Sequence, residues 1–329
     1  MSKLNLTIAA TNYDRLRALQ DGRVRAEGID LNYLTLPVEE IFHRQIKHHE
    51  FDLSEMSLSS YVLTLEQGAP FVAVPAFPSR YFRHQSMFVN RNSGIASPAD
   101  LRGKRVGLPE YQITAGVWQR GMLEDEYGVA VEDMRFFTGG VEDRGRSEKI
   151  RLDLPEGISV RPIGPEQTLS QMLAAGELDA VFSASTPSSF HTSPDVTRLF
   201  PDYKAVEADY YRRTGIFPIM HVVAIRRDVV ETNPWVPLSL FKAFEQSLAL
   251  AREDLEYRSS LKLMLPWLAH HLEETVEVMG EDFWKYGVEA NRQTLETFLR
   301  YSRRQGLAKR KWSPEELFAQ TTTAAGFTV

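Results

Sequence analysis

The chain has 329 residues, is 43% hydrophobic and carries a formal net charge of −6, which suits one large domain or two ordinary ones with a sizeable core. It holds no basic block, zinc spacing or RNA-binding signature, which argues against a nucleic-acid partner. With no cysteine, disulfides, thiolate metal sites and a cysteine nucleophile are excluded.

The opening "MSKLNLTIAATNYD" lacks an apolar secretory core and a cleavage site, and Leu4, Leu6 and Ile8 alternate as in a strand. A cytoplasmic protein is the expectation, and no apolar run of about 18 residues predicts a membrane span. "LNLTIAA" reads as a strand, Tyr13 to Asp21 as a helix, Ile29 to Leu36 as a strand and Val38 to His48 as a helix. "FDLSEM" is a short strand, Ser57 to Gln67 a helix with Ser57 as its N-cap, and "PFVAVPAF" another strand. This alternation predicts a mostly parallel sheet covered by helices.

The pattern restarts with the strand "KRVGLP", the loop "EYQI" and a helix from Thr114, its expected N-cap, to about Tyr127. "TLSQMLAAGELDAVFSA" repeats helix then strand, Gly176 marking the helix end. "GIFPIMHVVAIRRD" is a last strand, and beyond Asn233 the chain reads as helical, most clearly at Pro237 to Tyr257 and Glu281 to Arg303. No internal repeat or linker interrupts it. Two lobes are expected, residues 1–90 with 218–329 and residues 91–217, with a ligand cleft between them.

The segments "DLRGKRVGLPE", "MLAAGELDAVF" and "VVAIRRDVVETNPWVPLSLFKAFEQSLALA" resemble the type II periplasmic-binding-protein fold, an α/β architecture of two lobes, here with a helical C-terminal part. The combination of "FPSRYFRHQSMFVN", "GLPEYQITAGVWQRGMLEDEYGV", "FFTGGVEDRGRSEK" and "YYRRTGIFPIMH" is more specific and resembles the 4,5-dihydroxyphthalate decarboxylase family. The resemblance implies conversion of 4,5-dihydroxyphthalate to protocatechuate and CO2 with no organic cofactor. The adjacent pairs His48–His49 and His270–His271 are no metal signature, because neighbours on a helix point about 100° apart, and no metal is expected. The partner expected is a small aromatic carboxylate; no membrane partner is expected, and a homo-oligomer is left open. The competing reading is a solute-binding protein for such a carboxylate, without catalysis.

Each carboxylate of 4,5-dihydroxyphthalate has a hydroxyl para to it. Protonating the ring carbon that bears the leaving carboxylate avoids an aryl carbanion, so the site must supply cations, a group for the hydroxyls, a proton donor and shelter from water. In "SRYFRH", Arg80 and Arg83 read on their own as a solvated edge; the resemblance makes them carboxylate clamps, since a guanidinium matches carboxylate geometry. His84 and His221 are the candidate proton donors, each with a structural alternative. Glu110 is a candidate acceptor from a hydroxyl, and Glu55, at a strand end, another. The start of the Thr114 helix is a candidate anion site, with Tyr111 and Thr114 as side-chain donors, while Trp118 reads as core. "GGVEDRGRSEK" has six charged residues in the eight from Glu142 to Lys149 and reads as a solvated loop; the resemblance makes Glu142, Arg144 and Arg146 candidate ligands. Ser185, after "DAVFSA", is a further substrate donor.

Overall fold

The alternation of Leu4, Leu6 and Ile8 produces β1 (Leu4–Ala10) in the computed structural model, which describes residues 3–323. The chain continues through α1 (Asp14–Gln20), β2 (Ile29–Thr35), α2 (Val38–His48), β3 (Leu53–Ser57), α3 (Leu58–Leu65) and β4 (Phe71–Arg80). There follow β5 (Met87–Asn90), β6 (Arg105–Leu108), α4 (Thr114–Tyr127), β7 (Arg135–Thr138), β8 (Ser159–Pro162), α5 (Leu169–Ala174) and β9 (Ala180–Phe182). Then come α6 (Ser189–Thr192), β10 (Val196–Arg198), α7 (Tyr203–Thr214), β11 (Ile219–Arg226), α8 (Arg227–Thr232), α9 (Val236–Glu256), α10 (Leu268–Met279) and α11 (Arg292–Arg304).

The chain divides into two compact units. The first takes in residues 3–80, Tyr211–Glu296 and residues 312–323; the second takes in Tyr81–Tyr210 and Thr297–Lys311. These limits differ from the expected 90/91 and 217/218. β5 pairs with β9 and β10, which draws the segment after Arg80 into the second unit. Residues 297–311 join it because Phe298 and Tyr301 pack on Trp118 at centroid distances of 5.5 and 5.6 Å. Gly121 of α4 permits this approach, since a Cβ there would lie 2.2 Å from the Tyr301 ring. Trp118 is a core residue, fully buried.

In the first unit the sheet order is β2-β1-β3-β11-β4, with β1 parallel to β2 and β3, and β11 antiparallel to β3 and β4. β1, β2, β3 and β4 thus share one direction, as the alternation predicts, and β11, returning from later in the chain, makes the sheet mixed. α2 packs Ile41 and Phe42 on Ala9 and Phe51, and full burial of such side chains stabilises by about 1.5–3 kcal/mol each. β4 runs three residues beyond the expected Phe77 in spite of Pro75 and Pro78. Prolines are tolerated on an edge strand, and the register with β11 is irregular there, jumping from Val223↔Val74 to His221↔Ser79. The carbonyls freed by the jump bind other partners: Pro75 O accepts from Gly287 N at 2.9 Å and Phe77 O from Trp284 Nε1 at 3.1 Å.

The second unit has the order β10-β5-β9-β6-β7-β8. β6 is parallel to β7 and β9, β7 to β8, while β5 runs antiparallel to β9 and β10. Leu169, Leu173, Leu178 and Val181 form its core with Phe88 and Val196. In the C-terminal part, the helix expected over Glu281–Arg303 starts only at Arg292, because Gly287 turns the chain at φ +86°. Among the described residues no helix is long and apolar enough to cross a membrane.

Candidate active site

Parallel α/β sheets present ligands at the carboxyl ends of their strands, and in the first unit those of β1 and β3 gather several donors on one buried carboxylate, Glu55. Antiparallel pairing sets Glu55 opposite Val223 and His221 opposite Ser57. Glu55 and His221 are thus diagonal neighbours on one sheet face. His221 Nδ1 lies 2.6 Å from Glu55 Oε1, and the Tyr13 hydroxyl donates to the same oxygen at 2.5 Å. The Thr11 amide donates to Oε2 at 2.9 Å. Burial of Glu55, which is 0% exposed, favours its neutral form, but the hydrogen bond and charge of His221, with the Tyr13 and Thr11 donors, outweigh burial and hold the carboxyl below its ordinary range. The His221 ring stands edge-on to Phe42 at 5.0 Å and is 16% exposed. A carboxylate holding Nδ1 leaves Nε2, across the ring, as the nitrogen for proton transfer.

The expected roles of Glu55 and His221 change accordingly. Glu55, read as an acceptor from a substrate hydroxyl, is instead enclosed as the partner of His221. Tyr13 was missed: it sits in the polar stretch "TNYDR" just after β1, where its place at a strand end was the only signal. Arg80 is also corrected. Its guanidinium donates to Phe217 O at 3.2 Å, to Lys285 O at 2.6 Å and to Asn291 Oδ1, all within the first unit. Burial lowers it to about 9, still cationic at neutral pH. It ties β4 to the segment before α11 rather than presenting itself to a ligand.

The second unit gathers the other predicted residues differently. Thr114 is the first residue of α4, with Ile113 in the cap position and no capping side chain. In the loop before that helix, Glu148 Oε1 accepts from Tyr111 N at 2.5 Å, so a carboxylate of the chain itself lies beside the expected anion site. Burial raises Glu148 to about 7, opposed by the Tyr111 amide and supported by the nearby Glu110 charge. The Tyr111 hydroxyl donates to Gln305 O at 3.0 Å and its side chain is buried, so it is a packing residue and not a substrate donor. Glu110 is 1% exposed and accepts from Arg146 at 2.7 Å and from Lys149. This ion cluster folds "GGVEDRGRSEK" back onto the end of β6 and encloses Glu110 as the partner of Arg146 and Lys149, a place different from the catalytic one expected of it.

Glu142 accepts from Ser188 N and Oγ at 2.7 and 2.8 Å, while Arg144 forms a solvated pair with Glu166 at 2.9 Å. Neither holds the ligand position that the resemblance implied. His84 is buried edge-on to Phe200 and Tyr210, with Nδ1 4.0 Å from Glu207 Oε1, surroundings that match its structural alternative. Arg83 NH1 donates to Ala184 O at 3.3 Å, and burial lowers its guanidinium to about 10, leaving it cationic. That places Arg83 beside Ser185, which is exposed past the end of β9 and bonds Ser183. Among the described residues no group of three or more His, Asp or Glu side chains is placed to hold a metal.

Two sheets of this order are the framework of periplasmic solute-binding proteins. Residues 13–186 match the family model described as the phosphonate ABC transporter periplasmic substrate-binding protein. A periplasmic sulfonate-binding protein from Methylobacillus flagellatus superposes with a TM-score of 0.56 at 15% identity, over 98% of this chain and 92% of that one. The aliphatic sulphonate binding protein of Escherichia coli gives 0.55 at 15% identity, over 98% and 99%. These likenesses define the class by fold. Within it, the chain belongs to the 4,5-dihydroxyphthalate decarboxylase family. It is 45% identical over 320 residues to the 4,5-dihydroxyphthalate decarboxylase of Comamonas testosteroni, covering 97% of each chain. It is 47% identical over 214 residues to that of Pseudomonas putida, covering 64% of this chain and 83% of the relative.

Proposed function

We propose that this chain is a carboxy-lyase that converts 4,5-dihydroxyphthalate to protocatechuate and CO2, with His221 as the proton donor. The observation that carries the assignment of roles is the buried Glu55 carboxylate bonded to Nδ1 of a part-exposed His221. Family membership supports the reaction class.

The reaction consumes one proton per turnover. With His221 as imidazolium, the Nε2–H bond breaks and a C–H bond forms at the ring carbon bearing the leaving carboxylate, driven by electron release from the para oxygen. The C–C bond to the carboxylate then breaks, CO2 departs and its electron pair restores the aromatic ring. The para oxygen recovers its hydrogen-bonded state, and the neutral His221 is reprotonated through its solvent-accessible edge. Glu55 stabilises the imidazolium before transfer and holds the ring in position throughout. A positioned general acid supplies about 10²–10⁴ in rate.

Incubating the purified protein with 4,5-dihydroxyphthalate, with and without EDTA, and quantifying CO2 and protocatechuate tests the reading. Equimolar products support it. Tight binding with the compound recovered unchanged favours the solute-binding alternative instead.

A further inference from the structure

The Glu55 carboxylate serves two donors on one oxygen. Tyr13 Oη lies 2.5 Å and His221 Nδ1 2.6 Å from Oε1, while the Thr11 amide occupies Oε2 at 2.9 Å. An ionised carboxylate only accepts, so both the phenol and Nδ1 carry their protons toward it. Burial and then the Glu55 charge push the ionisation of Tyr13 far above the ordinary phenol range, so its hydroxyl is a donor at every working pH. The ring is fixed as well. The Arg15 guanidinium stacks 4.2 Å from the Tyr13 centroid and 4.2 Å from that of Trp284, its Nε bonded to Pro78 O at 2.5 Å. The Ser79 hydroxyl bonds the same phenol oxygen.

We infer that Tyr13 is a positioning residue for His221: Glu55 sets the Nδ1–H tautomer, and Tyr13, by sharing Oε1, fixes that carboxylate and limits how strongly it stabilises the imidazolium. The catalytic consequence rests on the proposed role of His221 as proton donor; the hold on the ring does not. The groups around that ring are few. Glu55 comes from β3, Tyr13 from the turn before α1, Tyr33 from β2, where it feels the Glu55 charge, and the uncharged Phe42 from α2. Ser57 and Ser79 flank His221 on the neighbouring strands, and Arg15 pairs with Asp14 at 2.9 Å. Among the described residues Tyr13 is thus the one neighbour that both touches the carboxylate oxygen bonded to His221 and can be removed without changing a charge.

Tyr13→Phe leaves Nδ1–H as the sole side-chain donor on that oxygen. Its charge then acts more fully on the imidazolium, and the His221 titration moves to higher pH by about half to one unit, roughly three- to tenfold in the proton affinity. The test is an NMR titration of histidine-labelled protein without substrate, with the His221 signal identified by its loss in His221→Gln. Wild type should show the Nδ1–H tautomer, and Tyr13→Phe the upward shift. In a Glu55→Gln background Tyr13→Phe should shift the midpoint far less, because the carboxylate that couples the two groups is gone. A Tyr13→Phe titration superimposable on wild type, or an equal shift in the Glu55→Gln background, overturns the inference.

The alkaline limb of kcat, read on the same variant, should follow the titration. A titration that moves without the limb confirms the hold of Tyr13 on His221 and removes His221 as proton donor, so the two readings fail separately.

Discussion

Glu55→Gln is the perturbation for which the structure sets the clearest expectation. The substitution keeps shape and volume in a fully buried position but removes the charge opposite His221. A hydrogen bond to an ionised group is worth about 1.5–3 kcal/mol and a neutral one about half that, so the imidazolium loses roughly 1–2 kcal/mol of stabilisation. That weakens the ring's affinity for its proton about tenfold. A second loss follows from orientation. The amide has one oxygen for three donors, namely Tyr13 Oη, His221 Nδ1 and the Thr11 amide. If its NH2 faces Nδ1, the ring takes the wrong tautomer, a change that costs about 10⁴ in kcat in Ser–His–Asp enzymes. A fall in kcat of about 10²–10⁴ with KM within a few-fold is expected from initial rates of CO2 release across pH 5–9. The acid side of the stability profile should change too. Because the Glu55 carboxyl is held below its ordinary value of 4.5, its stabilisation is present above that value and is lost as pH falls through the folded one. The variant should therefore lose the matching part of wild-type acid sensitivity. A Glu55→Gln enzyme with kcat within threefold of wild type would refute the coupling.

Arg80→Ala should destabilise by about 3–5 kcal/mol in urea unfolding, because it leaves three acceptors without their buried donor and opens a cavity; wild-type stability with a raised KM would restore Arg80 to the ligand-binding role. Glu148→Gln should stabilise the protein above pH 7 by about 1–3 kcal/mol and change little below pH 4.5. Burial raises the folded Glu148 to about 7 from an ordinary 4.5, so its contribution is full below 4.5 and is lost as pH rises through 7; a stability gain that is equal at pH 4 and pH 8 would contradict this. Arg83→Ala is expected to raise KM at least tenfold with kcat less affected, the signature of lost ground-state anchoring, and an unchanged KM would exclude Arg83 as the carboxylate clamp.

Local pattern made much of the fold legible. Val38–His48 was read to its final residue because Ile41, Phe42 and Gln45 form a buried face at helical spacing, and β1 emerged from strict alternation. The C-terminal part misled for the opposite reason: apolar spacing persists through 281–291, yet Gly287 forces a left-handed backbone there. The strand expected to end at Phe77 runs on to Arg80, because an edge strand with an irregular register accommodates Pro78. The site was legible as residues but not as pairs. Glu55 and His221 each stood out singly, and only the antiparallel register of β3 and β11, which joins positions 166 apart in sequence, makes them one unit. "GGVEDRGRSEK" shows the converse. Its charges stand out as candidates for a ligand, but Glu110, buried at the end of β6, is the partner of Arg146 and Lys149, while Arg144 pairs with Glu166.

Whether His221 delivers the proton is decided by single-turnover kinetics of His221→Gln beside wild type. With His221 as donor, the variant retains binding of 4,5-dihydroxyphthalate by calorimetry and forms product about 10²–10⁴ more slowly. A variant that binds the compound and forms protocatechuate at the wild-type rate would contradict that role.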